Sequence, residues 1–308
     1  MLTICAIYVP IDTDYPMDRV RYIAEDSKMT MIVADQNYTL SAENIAYICF
    51  RDMMLTAKGR EQKKPSPLPD DKYREVCIIY TSGSTGQPRG VALQNLGLCN
   101  LVESFHECYK TLDSDRVLPM TSIAFSSFVG EMFPILCCGG AVVLYDRKLL
   151  LDNKFLQQVL EEKKVSIIST VPSVMRYLNE MQKLPSSLRY LISGGEKLLM
   201  EDVNKLVGKL IIINSYGTTE TTICNTFCEI TSIEQLQAKK NAIGKPILGN
   251  QIYILDAALS PKPIGVYGQI YISGNGLTKG YVNREEETAR AYIQNPFAEG
   301  GKLYATGD

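Results

Sequence analysis

Between positions 116 and 216, short apolar runs take turns with amphipathic stretches. RVLPM (116–120), AVVLY (141–145), SIIST (166–170), RYLIS (189–193) and LIIINSY (210–216) are aliphatic and β-branched with little polar alternation, the pattern of strands buried on both faces. The stretches between them have helical periodicity: one through Met132, one around 155–163, one around 174–181 and a last near Val203. This succession predicts an α/β fold of layered, mostly parallel sheets with flanking helices. Ligands of such sheets bind beyond the carboxyl ends of the strands. The opening MLTICAIYVPI reads as a further buried strand, since it lacks the basic region and cleavage site of a leader. The charged, Pro-rich run at 58–72 reads as an exposed connection. After Thr222, strand-like pieces such as QIYILD and GQIYISG are separated by Gly and Pro turns. The expected organisation is an α/β core over 1–222 and a small β-rich subdomain over 223–308.

Composition narrows the function classes. With 45% hydrophobic and 21% charged residues and a net charge of −2, the chain has the profile of a globular protein without the basic footprint of a nucleic-acid or anionic-membrane binder. No apolar run reaches a membrane span. Nine cysteines without C-x-x-C spacing point to buried thiols in a reducing compartment, so a cytoplasmic location is expected. The single histidine, His106, lies in the helix-like LVESFHECYK, as a surface residue would. One histidine cannot build a His-rich zinc site, and a Ser-His-Asp hydrolase is a poor fit.

The strongest chemical signal is EVCIIYTSGSTGQPRG at 75–90. A buried strand runs into a loop of hydroxyl residues and glycines that ends at Arg89. Glycine lets successive N–H groups turn inward, hydroxyls add donors, and the guanidinium adds fixed charge: a cradle for polyphosphate. The loop lacks the G-x-x-x-x-G-K-[ST] of a Walker A motif and the G-x-S-x-G of a nucleophile elbow.

YTSGSTGQPRG resembles the signature loop of the adenylate-forming (AMP-binding) superfamily. Further segments resemble that superfamily in the same order: IYVPIDTDYPMDRVRYIAEDS, SGGE ending at Glu196, NSYGTTETT, GQIYISGNGLTKGYVNREEETARAYIQNPF and YATGD. The first and the GYVNR segment are most similar to the adenylation domains of nonribosomal peptide synthetases. The resemblance implies ATP and Mg²⁺, a small carboxylic acid as substrate, and release of pyrophosphate on forming an acyl-adenylate. A phosphopantetheine thiol on a carrier-protein domain, or coenzyme A, would be the later acceptor. Neither nucleic acid nor membrane is an expected partner. The same fold also serves acyl- and aryl-CoA ligases, and a non-catalytic nucleotide-binding protein is the reading from another class.

The resemblance assigns roles residue by residue. Thr81, Ser82, Gly83, Ser84, Thr85 and Gly86 would hold the β- and γ-phosphates. Tyr216 would stack on adenine, with Gly194, Gly195, Glu196, Asn214, Gly217 and Thr218 beside the nucleotide. Thr219 would meet the α-phosphate, Glu220 the metal and Asp308 the ribose. Thr81, Arg89, Thr219 and Glu220 form the expected catalytic set. Glu220 and the loop both follow strands, so the carboxyl ends of one parallel sheet are expected to bring them to one site. The acid pocket would be lined by Ser126, Ser127, Gly130, Ser169, Ile192, Gly194, Ser215, Ile223 and Cys224.

Departures from the pattern also carry information. Arg89 stands for the usual Lys, Thr218 for Pro, and Ala305 for a basic residue before T-G-D. Ser126 stands where amino-acid-activating members carry the Asp that pairs with the substrate ammonium, and Glu131 and Asp115 are the nearest acids in sequence. An acid without an α-ammonium is therefore the expected substrate. The superfamily's mobile C-terminal lobe has no counterpart in these 308 residues, so the chain is expected to be a piece of a longer protein, inactive alone.

Overall fold

The computed structural model describes residues 6–35, 45–57, 71–82, 86–239 and 242–308. Strands β1 (Met31–Ala34) and β2 (Ala46–Cys49) pair in parallel. β3 (Glu75–Thr81) and β4 (Arg89–Gln94) form an antiparallel pair. β5 (Arg116–Pro119), β6 (Ala141–Val142), β7 (Ile167–Thr170), β8 (Tyr190–Ser193), β9 (Ile211–Tyr216), β10 (Thr226–Ile230) and β11 (Lys245–Pro246) make a seven-stranded sheet. β12 (Asn250–Leu255), β13 (Gln269–Gly274), β14 (Tyr292–Gln294) and β15 (Lys302–Ala305) make a four-stranded antiparallel one. The helices are α1 (Met17–Asp26), α2 (Phe50–Ala57), α3 (Asn95–Tyr109), α4 (Ser126–Cys137), α5 (Asn153–Glu162), α6 (Pro172–Asn179), α7 (Met200–Val203), α8 (Ile233–Ala238) and α9 (Glu285–Ala291).

The seven-stranded sheet has the order β11-β10-β9-β8-β7-β5-β6, parallel from β9 to β6. Its strands read as unbroken apolar runs because both faces are covered. Val117, Ile167, Tyr190, Ile192 and Ile213 pack into one core cluster. Their neighbours Leu118, Ile168, Leu191 and Ile212 pack into another on the opposite face. The chain passes from β5 to β6 on one side and returns to β7 on the other side of β5. That reversal opens a crevice at the carboxyl ends of β5 and β7. Here α4 starts with Ser126, and β7 ends with Ser169 and Thr170.

Three elements differ from expectation. Residues 1–5 of the opening lie outside the described residues. From residue 6 onward this segment pairs only at Tyr8, which bridges to Cys77 of β3, so no strand forms over 6–11. β3 is not part of the parallel sheet: it pairs antiparallel with β4. Strands β10 and β11, beyond the boundary expected at Ile223, extend the seven-stranded sheet. The four-stranded sheet begins only at Asn250. β10 joins the larger sheet because the turn after β9 reverses within 217–225 and lays Thr226 opposite Tyr216. Gly217 is required there, since a Cβ would lie 2.3 Å from the carbonyl oxygen of Ile223. The run 58–70 of the expected connection also lies outside the described residues.

Candidate functional site

Glu220 sits in a single 3-10 turn, Thr219–Thr221, directly after β9. Its side chain is buried at 8% exposure. Tyr281 donates its phenol to Glu220 Oε1 at 3.0 Å. The Tyr292 phenol, at 2.9 Å, and the Thr278 amide, at 3.1 Å, both donate to the Glu220 carbonyl. Glu220 Oε2 has no partner among the described residues. Burial, then the facing Glu220 carboxylate, push the Tyr281 phenol up to about 12, so it remains a donor at neutral pH.

The loop end reaches the same place by another path. Thr81 is paired with Arg89 across the β3–β4 turn. The segment 279–282 runs along β4, with Val282 N donating to the Gly90 carbonyl and Lys279 N to that of Ala92. This lays Tyr281 beneath Arg89, whose guanidinium carbon is 4.7 Å from the ring centroid. Arg89 and Glu220 thus flank one tyrosine. The loop end and Glu220 meet through the 279–282 segment, which bridges to β4 at Val91, not through strands of one parallel sheet as expected from sequence. Ser82 and Gly86 bound the loop; Gly83, Ser84 and Thr85 lie outside the described residues. Gly86 has φ +86°, which favours glycine.

Among the residues expected around the nucleotide, Asn214 neighbours Ser193 across β8 and β9. Asn214 is buried and donates its amide to the Ala242 carbonyl at 2.9 Å. Tyr216 donates its phenol to Asp308 Oδ2 at 2.6 Å, joining the residues expected at adenine and ribose. Burial, then that hydrogen bond, hold the phenol well above its ordinary value. Asp308 is fixed by Ile270 N, which donates to its carbonyl at 3.0 Å. Gly194 and Gly195 follow β8, and Gly195 has φ +78°. Glu196 is turned toward the start of α6, where the Ser173 amide and hydroxyl donate to it at 3.3 Å. Thr218 keeps its hydroxyl within the turn, 3.1 Å from that of Thr221.

The expected acid-pocket residues gather around the crevice. The Ser126 and Thr219 hydroxyl oxygens are 2.9 Å apart, so the start of α4 touches the turn that carries Glu220. A Cβ on Gly130 would lie 3.1 Å from Ile223 Cγ2, and one on Gly194 2.8 Å from Ser215 Oγ. Ser215 donates to the Ser193 carbonyl at 2.7 Å. Ile192 and Cys224 are buried, and burial pushes the Cys224 thiol well up. Ser127 is half-buried in the first turn of α4. Thr121 donates its hydroxyl to Glu131 Oε1, and Glu131 Oε2 is buried without a hydrogen-bond partner among the described residues. Burial pushes Glu131 up to about 8 against the pull of the Thr121 hydroxyl. The nearest acid after Ser126 is therefore a neutral core group.

Sequence reasoning missed Tyr281, Tyr292 and Glu287, although all three stand in the family-like segment at 268–297. Among the described residues, no helix is long and apolar enough to cross a membrane. Among the same residues, no group of three or more His, Cys, Asp or Glu could hold a metal without help from a ligand.

A family model described as AMP-binding enzyme matches residues 1–282. Tyrocidine synthase 1 of Brevibacillus parabrevis is 35% identical over 98% of this chain and 28% of its own length. Malpibaldin synthetase of Mortierella alpina is 34% identical over 100% of this chain and 6% of its own length. The chain thus spans less than a third of these curated relatives. The Klebsiella oxytoca NpsA N-terminal subdomain, in complex with 3-hydroxybenzoyl-AMSN, has the same fold: TM-score 0.82 at 20% identity, over 100% of this chain and 78% of that one. AB3403, a four-domain nonribosomal peptide synthetase bound to AMP and glycine, gives TM-score 0.82 at 26% identity, over 98% of this chain and 22% of that one.

Proposed function

The chain belongs to the AMP-binding enzyme family, and from that premise we propose that it activates a small carboxylic acid with ATP, forming an acyl-adenylate and pyrophosphate. The observation that carries this reading is the contact between Ser126 and Thr219. It joins the acid crevice to the turn of Glu220, which Tyr281 links to Arg89. A carboxylate attacking an α-phosphate brings two anions together, so the protein's task is to position them and neutralise charge. No protein nucleophile is needed.

Each residue has a part in that task. Thr81, Ser82 and Gly86, with the glycine loop between them, would cradle the β- and γ-phosphates, and Arg89 would add charge. Tyr216 and Asp308 would hold adenine and ribose together, since they already share a hydrogen bond. Thr219 would donate to the α-phosphate. A magnesium ion fits Glu220: one carboxylate oxygen is fixed by Tyr281, the other has no partner among the described residues, and Mg²⁺ is commonly held by one carboxylate plus phosphates and water. When bound, it would offset phosphate charge.

The residues expected to line the acid pocket are neutral, which suits an acid without an α-ammonium. In the longer relatives' setting, the acyl group would pass to a phosphopantetheine thiol on a carrier domain, which the synthase relatives favour over transfer to coenzyme A. The test is ATP–pyrophosphate exchange by the complete protein with a panel of amino, hydroxy, keto, aryl and fatty acids. Acid-dependent exchange is expected, strongest with a deaminated acid. ATP binding without exchange for any acid would leave a non-catalytic nucleotide-binding protein.

A further inference from the structure

A cavity of about 730 Å³ opens beside Arg89, and most of its lining is charged. Arg89, Arg284 and Arg290 supply three guanidinium groups, and Glu285, Glu286 and Glu287 supply three carboxylates. Glu287, in the first turn of α9, spans two of the three. Its Oε2 accepts from Arg89 Nη1 at 3.0 Å, and its Oε1 lies 3.8 Å from Arg284 Nε. The Arg89–Glu287 pair is only partly exposed, at 21% and 34%. Arg89 Nε is buried without a hydrogen-bond partner among the described residues, so Glu287 satisfies the guanidinium at one edge only. Arg290, one helical turn along α9 from Glu287, is paired with Glu286 at 3.0 Å on the surface.

A carboxylate on Arg89 occupies the charge that the glycine loop would offer to polyphosphate. We propose that Glu287 is a resident counter-ion of Arg89, which the phosphates of the incoming nucleotide displace onto Arg284 and Arg290 across this cavity. The proposal rests on the nucleotide reading above and adds to it a residue that sets nucleotide affinity. A polyphosphate carries several charges against the single one of Glu287, so it wins the exchange. Arg284, which pairs with Asp26 through Nη2 at 3.3 Å, already presents its Nε to the other carboxylate oxygen of Glu287, so the displaced side chain is not left unpaired. The cost of breaking the first pair is subtracted from nucleotide affinity. Glu287 is thus a positioning residue that weakens binding.

The test is calorimetric titration of MgATP, and separately of inorganic tripolyphosphate, into the purified protein. E287Q is expected to tighten both by about two- to fivefold at low ionic strength, the range of a partly exposed ion pair. The gain should shrink at high salt and vanish in the R89M background, where there is no guanidinium to release. E287D keeps the charge and should stay near wild type, which separates the effect from misfolding. An E287Q protein with wild-type melting temperature that binds MgATP no better, or more weakly, overturns the counter-ion role and leaves Glu287 as a support for Arg89. A wild type that binds neither MgATP nor tripolyphosphate overturns the nucleotide reading itself.

Discussion

The proposed phosphate side and the proposed acid side of the site are built from different chemistry. Around the phosphate side, full charges face fixed partners: Arg89 with Glu287 and the Tyr281 face, Glu220 with the Tyr281 phenol. Around the acid side the contacts are between neutral groups: the Ser126 and Thr219 hydroxyls, and the Ser215 hydroxyl with the Ser193 carbonyl. Its one buried acid, Glu131, has its pKa raised to about 8 by burial. ATP is the invariant partner of an adenylating enzyme, and charge suits it. The acid is the variable partner, and small neutral groups let shape and hydrogen bonding decide. Mutations on the first side should change the reaction as a whole; those on the second should change which acid enters.

The largest expected effect tests the phosphate side. Glu220→Gln keeps an acceptor for Tyr281 but removes the charge. It should lower pyrophosphate exchange by about 10²- to 10³-fold, the scale of losing a positioned electrostatic group, with the melting temperature little changed. A loss under threefold would remove Glu220 from the metal role.

A smaller effect tests the acid side. Ser126→Asp adds the carboxylate that an ammonium needs. A desolvated ammonium left with neutral hydroxyls costs about 2 to 3 kcal/mol, so the variant should shift preference toward α-amino acids by roughly 30- to 150-fold. The wild type should prefer the deaminated analogue of any amino acid offered. The reverse preference in a substrate panel would break the contrast between the two sides.

The third expectation separates the two sides by pH. Glu131 is held neutral in the native state with its pKa raised to about 8, whereas an unfolded Glu titrates near ~4.3. The native state therefore keeps a proton that the unfolded chain has lost, and this favours folding less as pH rises. Stability should fall by roughly 3 to 4 kcal/mol from pH 5 to pH 8. Denaturation at both pH values should show the fall in wild type and its loss in Glu131→Gln. An equal fall in both proteins would place the acid elsewhere.

The sequence made the strands from Arg116 to Tyr216 legible because strands buried on both faces need continuous apolar runs, and these have them. It made the glycine loop stand out because polyphosphate chemistry restricts the residue types, whereas Thr219 and Glu220 stand out only through the resemblance of NSYGTTETT to the superfamily motif. It did not reveal that β3 and β4 form their own antiparallel pair, since a buried strand reads the same whichever neighbour it takes. It placed the second unit too early for the same reason: β10 and β11 look like subdomain strands until the turn at Gly217 lays them beside β9. The Ser126–Thr219 and Arg89–Glu287 contacts join residues far apart in the chain, so no local spacing records them.

The central claim is that acid crevice and nucleotide site adjoin through Ser126 and Thr219. A non-hydrolysable acyl-sulfamoyl adenosine, carrying the acid that the panel selects, tests it most directly. Titrated into the complete protein, this one molecule should compete with both ATP and the free acid, and bind at least about a hundredfold more tightly than either. Competition with ATP alone, at the affinity of AMP, would contradict the claim.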